Sequence, residues 1–267
     1  MTRGSLIFAF NNEQIDYLSL AAWSTKNIHR HLNIPVCVVT NVENIPVNYE
    51  FDKIVFAQPN GTAHRHFADL PTSAPWYNGN RTDAYALSPW DTTLVLDADY
   101  VVASDQLDAL YKVKQDFLCH RWSYDITNLR DFNDLNYFGK FKMPMWWATV
   151  MLFHRSKTTE LIFDSMNMIK EHWGHYKNLY GIGRSSYRND YALSIAANLV
   201  NGHTLQQSSI PWRLATLTPD HKVTMTKQDC YRVDFNTSEQ QARWIDINAQ
   251  DFHAMGKGHL GAIVANS

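Results

Sequence analysis

Cysteine is scarce in this sequence: Cys37, Cys119 and Cys230 are the three in 267 residues. They are widely spaced, odd in number and without metal-ligand spacing, so neither a disulfide framework nor a cysteine-based zinc site is expected. A reducing, cytoplasmic setting is the natural expectation. An excess of one charge is also missing. The formal net charge is −2 and the pI about 6.6, which disfavours binding of nucleic acid through a global basic field and leaves only a local patch for that role. No apolar run is long enough to span a bilayer, and residues 1–5 lead into a short apolar stretch with no cleavage-site pattern. Internal repeats, low-complexity tracts and linkers are lacking too. With 45% hydrophobic residues, one domain over residues 1–267 can bury a sizeable core. Aromatic residues, by contrast, are plentiful: they make up 13% of the chain, with nine Trp. That is more than a core alone needs and suits surfaces that stack on sugar or base rings.

The apolar pattern predicts strands at 6–10, 36–40 and 53–57, with a helix over 14–32 between the first two. Strand, helix, strand implies a parallel α/β beginning. Residues 58–79 are rich in Pro, Gly, Thr and Ser and read as a long loop, followed by a short helix at 80–87. Ser104 is the expected N-cap of a helix at 105–113. Strands are expected at 116–120 and 146–154, and helices at 158–173 and 189–199. Residues 121–145 show no period and read as an insertion, residues 174–187 as a mobile loop, and the C-terminal part as short strands and turns. The fold class expected is α/β with a mostly parallel central sheet flanked by helices, a nucleotide-side half at about 1–115 and an acceptor-side half at about 116–267.

Chemistry concentrates at Leu94-Val95-Leu96-Asp97-Ala98-Asp99. Carboxylates two apart on extended backbone point to one side. At the end of a buried strand they form an acidic pair on the sheet's carboxyl edge, where open α/β sheets bind ligands. Two hard oxygen donors suit Mg or Mn, which commonly bridge to a diphosphate. The plainer alternative is a strand running into an Asp-rich turn.

This run resembles the Asp-x-Asp signature of GT-A fold (Rossmann-like) glycosyltransferases. The segment Phe252-His253-Ala254-Met255-Gly256-Lys257-Gly258-His259 is similar to the C-terminal His-x-x-Gly-x-x-Lys signature of the glycogenin and bacterial galactosyltransferase-like family. Here Lys257 follows Gly256 directly, and His259 stands where that family has its Lys. The resemblance implies a metal-dependent transfer of a sugar from a nucleotide diphosphate, UDP foremost, to a hydroxyl. It also implies a Mn (or Mg) site of Asp97, Asp99 and His253, with Lys257 holding the diphosphate. Asn189-Asp190 resembles that family's Asp-Gln pair, which makes Asp190 the acceptor-side catalytic carboxylate.

Further candidates surround these. Gly256 would let backbone approach the diphosphate, and Ala98 lies between the two carboxylates. Arg81 could reach a phosphate or sugar hydroxyls as a binding and catalytic group, although a solvated helix-end arginine has the same pattern. Asp83 could bind a sugar hydroxyl or simply favour a helix N-terminus. Asn11 and Asn41 follow the first two strands, where the resembled fold receives base and ribose, and Tyr17 could stack on uracil. Arg155, Lys157, Lys170, Lys177, Arg184 and Arg188, with aromatics between them, could track a phosphate backbone. Hydroxymethylated phage DNA therefore joins glycans, lipid-linked groups and proteins as acceptors to test, in the host cytoplasm for a phage-encoded enzyme. Two other functions fit part of the pattern. One is a haloacid-dehalogenase-like phosphatase with Asp97 as nucleophile, although its motif usually sits on a first strand. The other is a non-catalytic sugar- or nucleotide-binding module.

Overall fold

The computed structural model describes residues 2–60, 63–66, 73–77, 79–183, 186–204 and 207–266, with backbone alone for 63–66, 73, 74 and 76. Its centre is a six-stranded sheet in the spatial order Lys53–Phe56, Val36–Thr40, Arg3–Ala9, Thr92–Asp97, Trp147–His154, Phe117–His120. The first four strands run parallel, and Trp147–His154 runs antiparallel to both of its neighbours. The central strands Arg3–Ala9 and Thr92–Asp97 are buried almost throughout, as expected for strands covered on both faces. The chain first builds outward from Arg3–Ala9 and then returns to its other side with Thr92–Asp97. The strand order therefore reverses between these two, and their carboxyl ends open a crevice.

Helices Tyr17–Leu32, Lys157–Glu171 and Asn189–Val200 flank the sheet. The first begins later than its apolar pattern implies. Asn12 Oδ1 accepts from the backbone N–H of Gln14 and Ile15, and Asp16 then caps the helix by accepting from Ser19 N–H. Ser156 does the same for the second helix at Thr159.

A second sheet, ordered Tyr100–Val101, Phe252–Ala254, Leu214–Leu217, Ser123–Asp125, draws in the segment read as an insertion, because Ser123–Asp125 pairs in parallel with Leu214–Leu217. Lys222–Lys227, Cys230–Asn236 and Ala242–Asn248 form an antiparallel meander. The loop at 58–79 contains a hairpin, Ala63–His66 with Ser73–Trp76. The expected mobile loop contains the helix Trp173–Leu179, and the C-terminal turns give way to a helix, Lys257–Ala265. Residues 106–112 are 3-10 rather than α-helical. Ser104 Oγ donates to Asp251 Oδ1, which also accepts from Ala103 N–H, and this pins the segment's start.

Candidate functional site

The strand Thr92–Asp97 stops at Asp97, and Ala98-Asp99 form a turn. The two carboxylates are thus presented by a strand end and a turn, not by one continuous strand. The turn delivers the chain to the second sheet, where Tyr100 pairs with His253 and Asp99 C=O accepts from Ala254 N–H. That pairing carries His253 across 154 residues of sequence to within 3.2 Å of Asp99 Oδ2. One ligand atom from each of Asp97, Asp99 and His253 lies within 4.8 Å of the others.

Each carboxylate has its own cation. Asp99 is bonded by the Lys257 ammonium, from the first residue of the C-terminal helix. Burial opposes ionisation of Asp99, but Lys257 and His253 outweigh it and hold the group well below the usual carboxylate range. Asp97 is paired with Arg81, which is 2% exposed. Burial pushes Asp97 up, the Arg81 charge works against this, and the Asp99 charge adds to it.

Arg81 is fixed from several sides. Its Nη1 donates to Ala148 C=O at 2.5 Å, while its buried Nε finds no partner among the described residues. It lies in the 3-10 turn Gly79–Asp83. Lys170 clamps that turn by donating to Gly79 C=O and Thr82 Oγ1, and Asn167 bonds Thr82 through both ends of its amide. On the far side of Ala148, the same residue's N–H donates to Asp190 Oδ1, and Asp190 Oδ2 accepts from Arg188 at 2.7 Å. Burial opposes charge on Asp190, but Arg188 and the Ala148 N–H prevail and lower it.

These groups line one cavity of about 200 Å³ at the crevice, with Tyr17, Arg81, Asp97, Ala98, Asp99, Asp190, His253 and Lys257 all in its wall. Four candidates are not part of that wall. Asn11 Oδ1 accepts from Leu18 N–H and its amide donates to Asp16. Asn41 Oδ1 accepts from Asn11 N–H. Both side chains brace the start of the first helix, and Asn41 borders a separate depression with Glu43 and Gln58. Asp83 ends the 3-10 turn, half-buried, near Tyr187. Gly256 caps the C-terminal helix with φ −79°, a conformation open to any residue.

The wall also contains Tyr77, Phe132, Trp147, Arg188 and Thr216, none of which the sequence marked for this site. Only Arg188, next to Asn189-Asp190, carried a signal in its position. The basic stretch does not form a continuous face. Arg155 donates to Ser88 and Trp90 carbonyls, Lys157 pairs with Glu160, Lys170 holds the 3-10 turn and Arg188 holds Asp190. Arg184 lies outside the described residues.

No family model and no curated protein matches the sequence. Among solved structures, the chain is similar to the glycosyltransferase GlyE of Streptococcus pneumoniae TIGR4, at 15% identity and TM-score 0.46, covering 79% of this chain and 46% of GlyE. It is similar to the galactosyltransferase LgtC in complex with donor and acceptor sugar analogs, at 16% identity and TM-score 0.47, covering 72% of this chain and 70% of LgtC. It is also similar to the bifunctional IspDF of Campylobacter jejuni, at 11% identity and TM-score 0.42, covering 80% of this chain and 50% of that one. Two of the three are glycosyltransferases by name, and the chain spans less than half of GlyE. The likeness is one of architecture: α/β, with a mostly parallel sheet flanked by helices.

Proposed function

We infer that this chain is a metal-dependent glycosyltransferase that moves a sugar from a nucleotide diphosphate, UDP foremost, to a hydroxyl acceptor. The observation behind this reading is the meeting of Asp97, Asp99 and His253, with ligand atoms within 4.8 Å, in a switch-point cavity that also holds Arg81 and Lys257. The donor set of two carboxylates and one imidazole fits a divalent cation, and the nitrogen favours Mn over Mg. When bound, such an ion supplies positive charge against the negative charge developing on a departing diphosphate.

The chain's own groups have complementary tasks. Lys257 would exchange Asp99 for a phosphate oxygen. It does so at the N-terminus of a nine-residue helix, where backbone N–H groups and the helix dipole also favour an anion. Arg81 orients Asp97 and adds a second positive charge to the donor side. Tyr17 and Ala98 border the same side. Asp190, held ionised by Arg188 and lining the same cavity, would stabilise positive charge developing on the transferred sugar. A cytoplasmic setting belongs to the same proposal, in keeping with three free cysteines. Among the described residues no helix is long and apolar enough to cross a membrane.

A panel of nucleotides with and without Mn, read by thermal shift, tests the reading. Stabilisation that needs UDP and Mn together supports it. Indifference to every nucleotide, with turnover of phosphate esters, would replace it by the Asp97 phosphatase. Binding of UDP-sugars without hydrolysis or transfer would leave a binding module. Acceptor classes separate by offering glycans, lipid-linked sugars, proteins and hydroxymethylated duplex DNA. A gel-shift salt series on that DNA sets its place among them, because phosphate contacts are strongest at low salt.

A further inference from the structure

Residues 137–142 and 172–183 contain Lys140, Lys142, Lys177, His172 and His175, and no carboxylate. In a chain of net charge −2 this is a local cationic concentration. The first segment is one side and the tip of a hairpin in which Tyr137–Phe138 pairs with Met143–Pro144, and Lys140, Phe141 and Lys142 are exposed. The second contains the helix Trp173–Leu179 and the turn after it.

The two segments are locked together. Lys140 N–H donates to Tyr180 C=O at 2.9 Å. Gly139 and Gly181 flank this contact at φ +69° and +63°, backbone that a side chain rarely adopts. A Cβ at Gly139 would collide with Tyr180 C=O, and one at Gly181 would lie 2.7 Å from Lys140 Cβ. Each partner of the bond has a large apolar neighbour in the chain, Phe141 and Leu179, exposed at 61% and 53%. Single exposed apolar residues are ordinary. Two of them flanking a glycine-locked contact, with three lysines and no carboxylate within the two segments, make a specific combination.

That combination matches an anionic bilayer surface. Apolar side chains enter the boundary between headgroups and acyl chains, and each nearby lysine strengthens binding to an anionic leaflet roughly fivefold. Nucleic acid is a poorer match, because it offers nothing to accommodate an exposed leucine beside the cations. We propose that the hairpin tip Lys140-Phe141-Lys142 and the helix end at Leu179 form a docking surface for anionic lipid, which holds the protein peripherally on a membrane. This docking is independent of sugar transfer. If both hold, the cavity works next to membrane-borne hydroxyl groups.

Co-sedimentation of the whole chain with phosphatidylcholine vesicles, with and without phosphatidylglycerol, tests the proposal. Sedimentation should require phosphatidylglycerol and weaken as salt is raised. The double variant K140E/K142E should lower the partition coefficient at least tenfold, since it reverses two charges worth roughly fivefold each. The variant F141S/L179S should lower it while leaving the salt dependence in place. All four positions are exposed, so both variants should fold, and an unchanged nucleotide thermal shift separates this test from that of the transferase reading. The proposal is overturned by a failure to sediment at low salt, by variants that bind as well as the parent, or by duplex DNA binding through these residues without vesicle binding.

Discussion

The ammonium of Lys257 bonds Asp99 Oδ2, the same oxygen that the His253 imidazole faces at 3.2 Å. A cation entering the triad has to compete with that ammonium. Lys257→Met should therefore tighten Mn binding in the absence of nucleotide, by roughly tenfold if about 1.4 kcal/mol of competition is removed, and should weaken binding of UDP in the presence of Mn. Calorimetric titration with Mn, then with UDP, reads both changes. A parallel loss of both affinities would mean that Lys257 shapes the metal site rather than competing for it.

His253 contributes the one nitrogen among the candidate ligands. Asp97→Ala, Asp99→Ala and His253→Ala should each reduce metal-dependent activity, with Asp99→Ala the most severe. His253→Ala should also move the preference from Mn towards Mg. Activity measured across a metal series is the check. Full activity with an unchanged preference in His253→Ala would remove the C-terminal segment from the site.

Arg81→Ala would leave Asp97 without its cation in a largely buried setting and remove the bond to Ala148 C=O. Loss of one partner of a buried pair costs about 3–5 kcal/mol. Asp97 keeps some solvent contact, at 21% exposure, so the lower end, about 3 kcal/mol, is expected from urea unfolding. Arg81→Lys should recover part of that stability but less of the activity, because the ammonium lacks the planar fork.

Lys170 and Asn167 act on the cavity through the turn that carries Arg81. Lys170→Met keeps the aliphatic stem and removes two hydrogen bonds, a loss of about 1–2 kcal/mol. As a positioning residue it should lower kcat more than it raises KM for the nucleotide sugar. A stability loss with unchanged kinetics would limit it to scaffolding.

His120 is fully buried, donates from Nδ1 to Trp212 C=O and has no partner at Nε2 among the described residues. Burial lowers its pKa from 6.5 to about 4, with the Trp212 bond opposing. Between these values the unfolded chain binds the proton and the folded one resists it. His120 therefore contributes nothing to the pH dependence above pH 6.5 and a loss of up to about 3 kcal/mol towards pH 4, at ~1.36 kcal/mol per pH unit, while Asp251, raised by burial to about 6, contributes in the opposite direction below pH 6. The difference in urea midpoints between the parent and His120→Gln, followed from pH 7 to pH 4, isolates this contribution: the variant should lose less stability on acidification than the parent.

Much of the architecture was legible from periodicity. The strand at 36–40, the acidic strand and the helices ending near Leu32 and Val200 are long or strongly apolar enough for pattern to fix them. Local propensity had less hold where neighbours intervened. The helix start moved to Tyr17 because Asn12 and Asp16 claimed the preceding N–H groups, and Ser123–Asp125 became a strand only because Leu214–Leu217 offered a partner.

The sequence by itself determined the acidic pair, the His253–Lys257 segment and the residue types able to hold a cation. Only the tertiary structure decided their company. The second sheet brings His253 beside Asp99, the 3-10 turn sends Arg81 to Asp97, and Ala148 joins Arg81 to Asp190 through its two backbone groups. The reason is physical. Helical and strand periods encode which face is buried, while a charge buried beside another is placed by chain topology. The partners that neutralise Asp97 and Asp99 lie 16 and 158 residues away, in elements whose own local patterns carry no trace of the pairing.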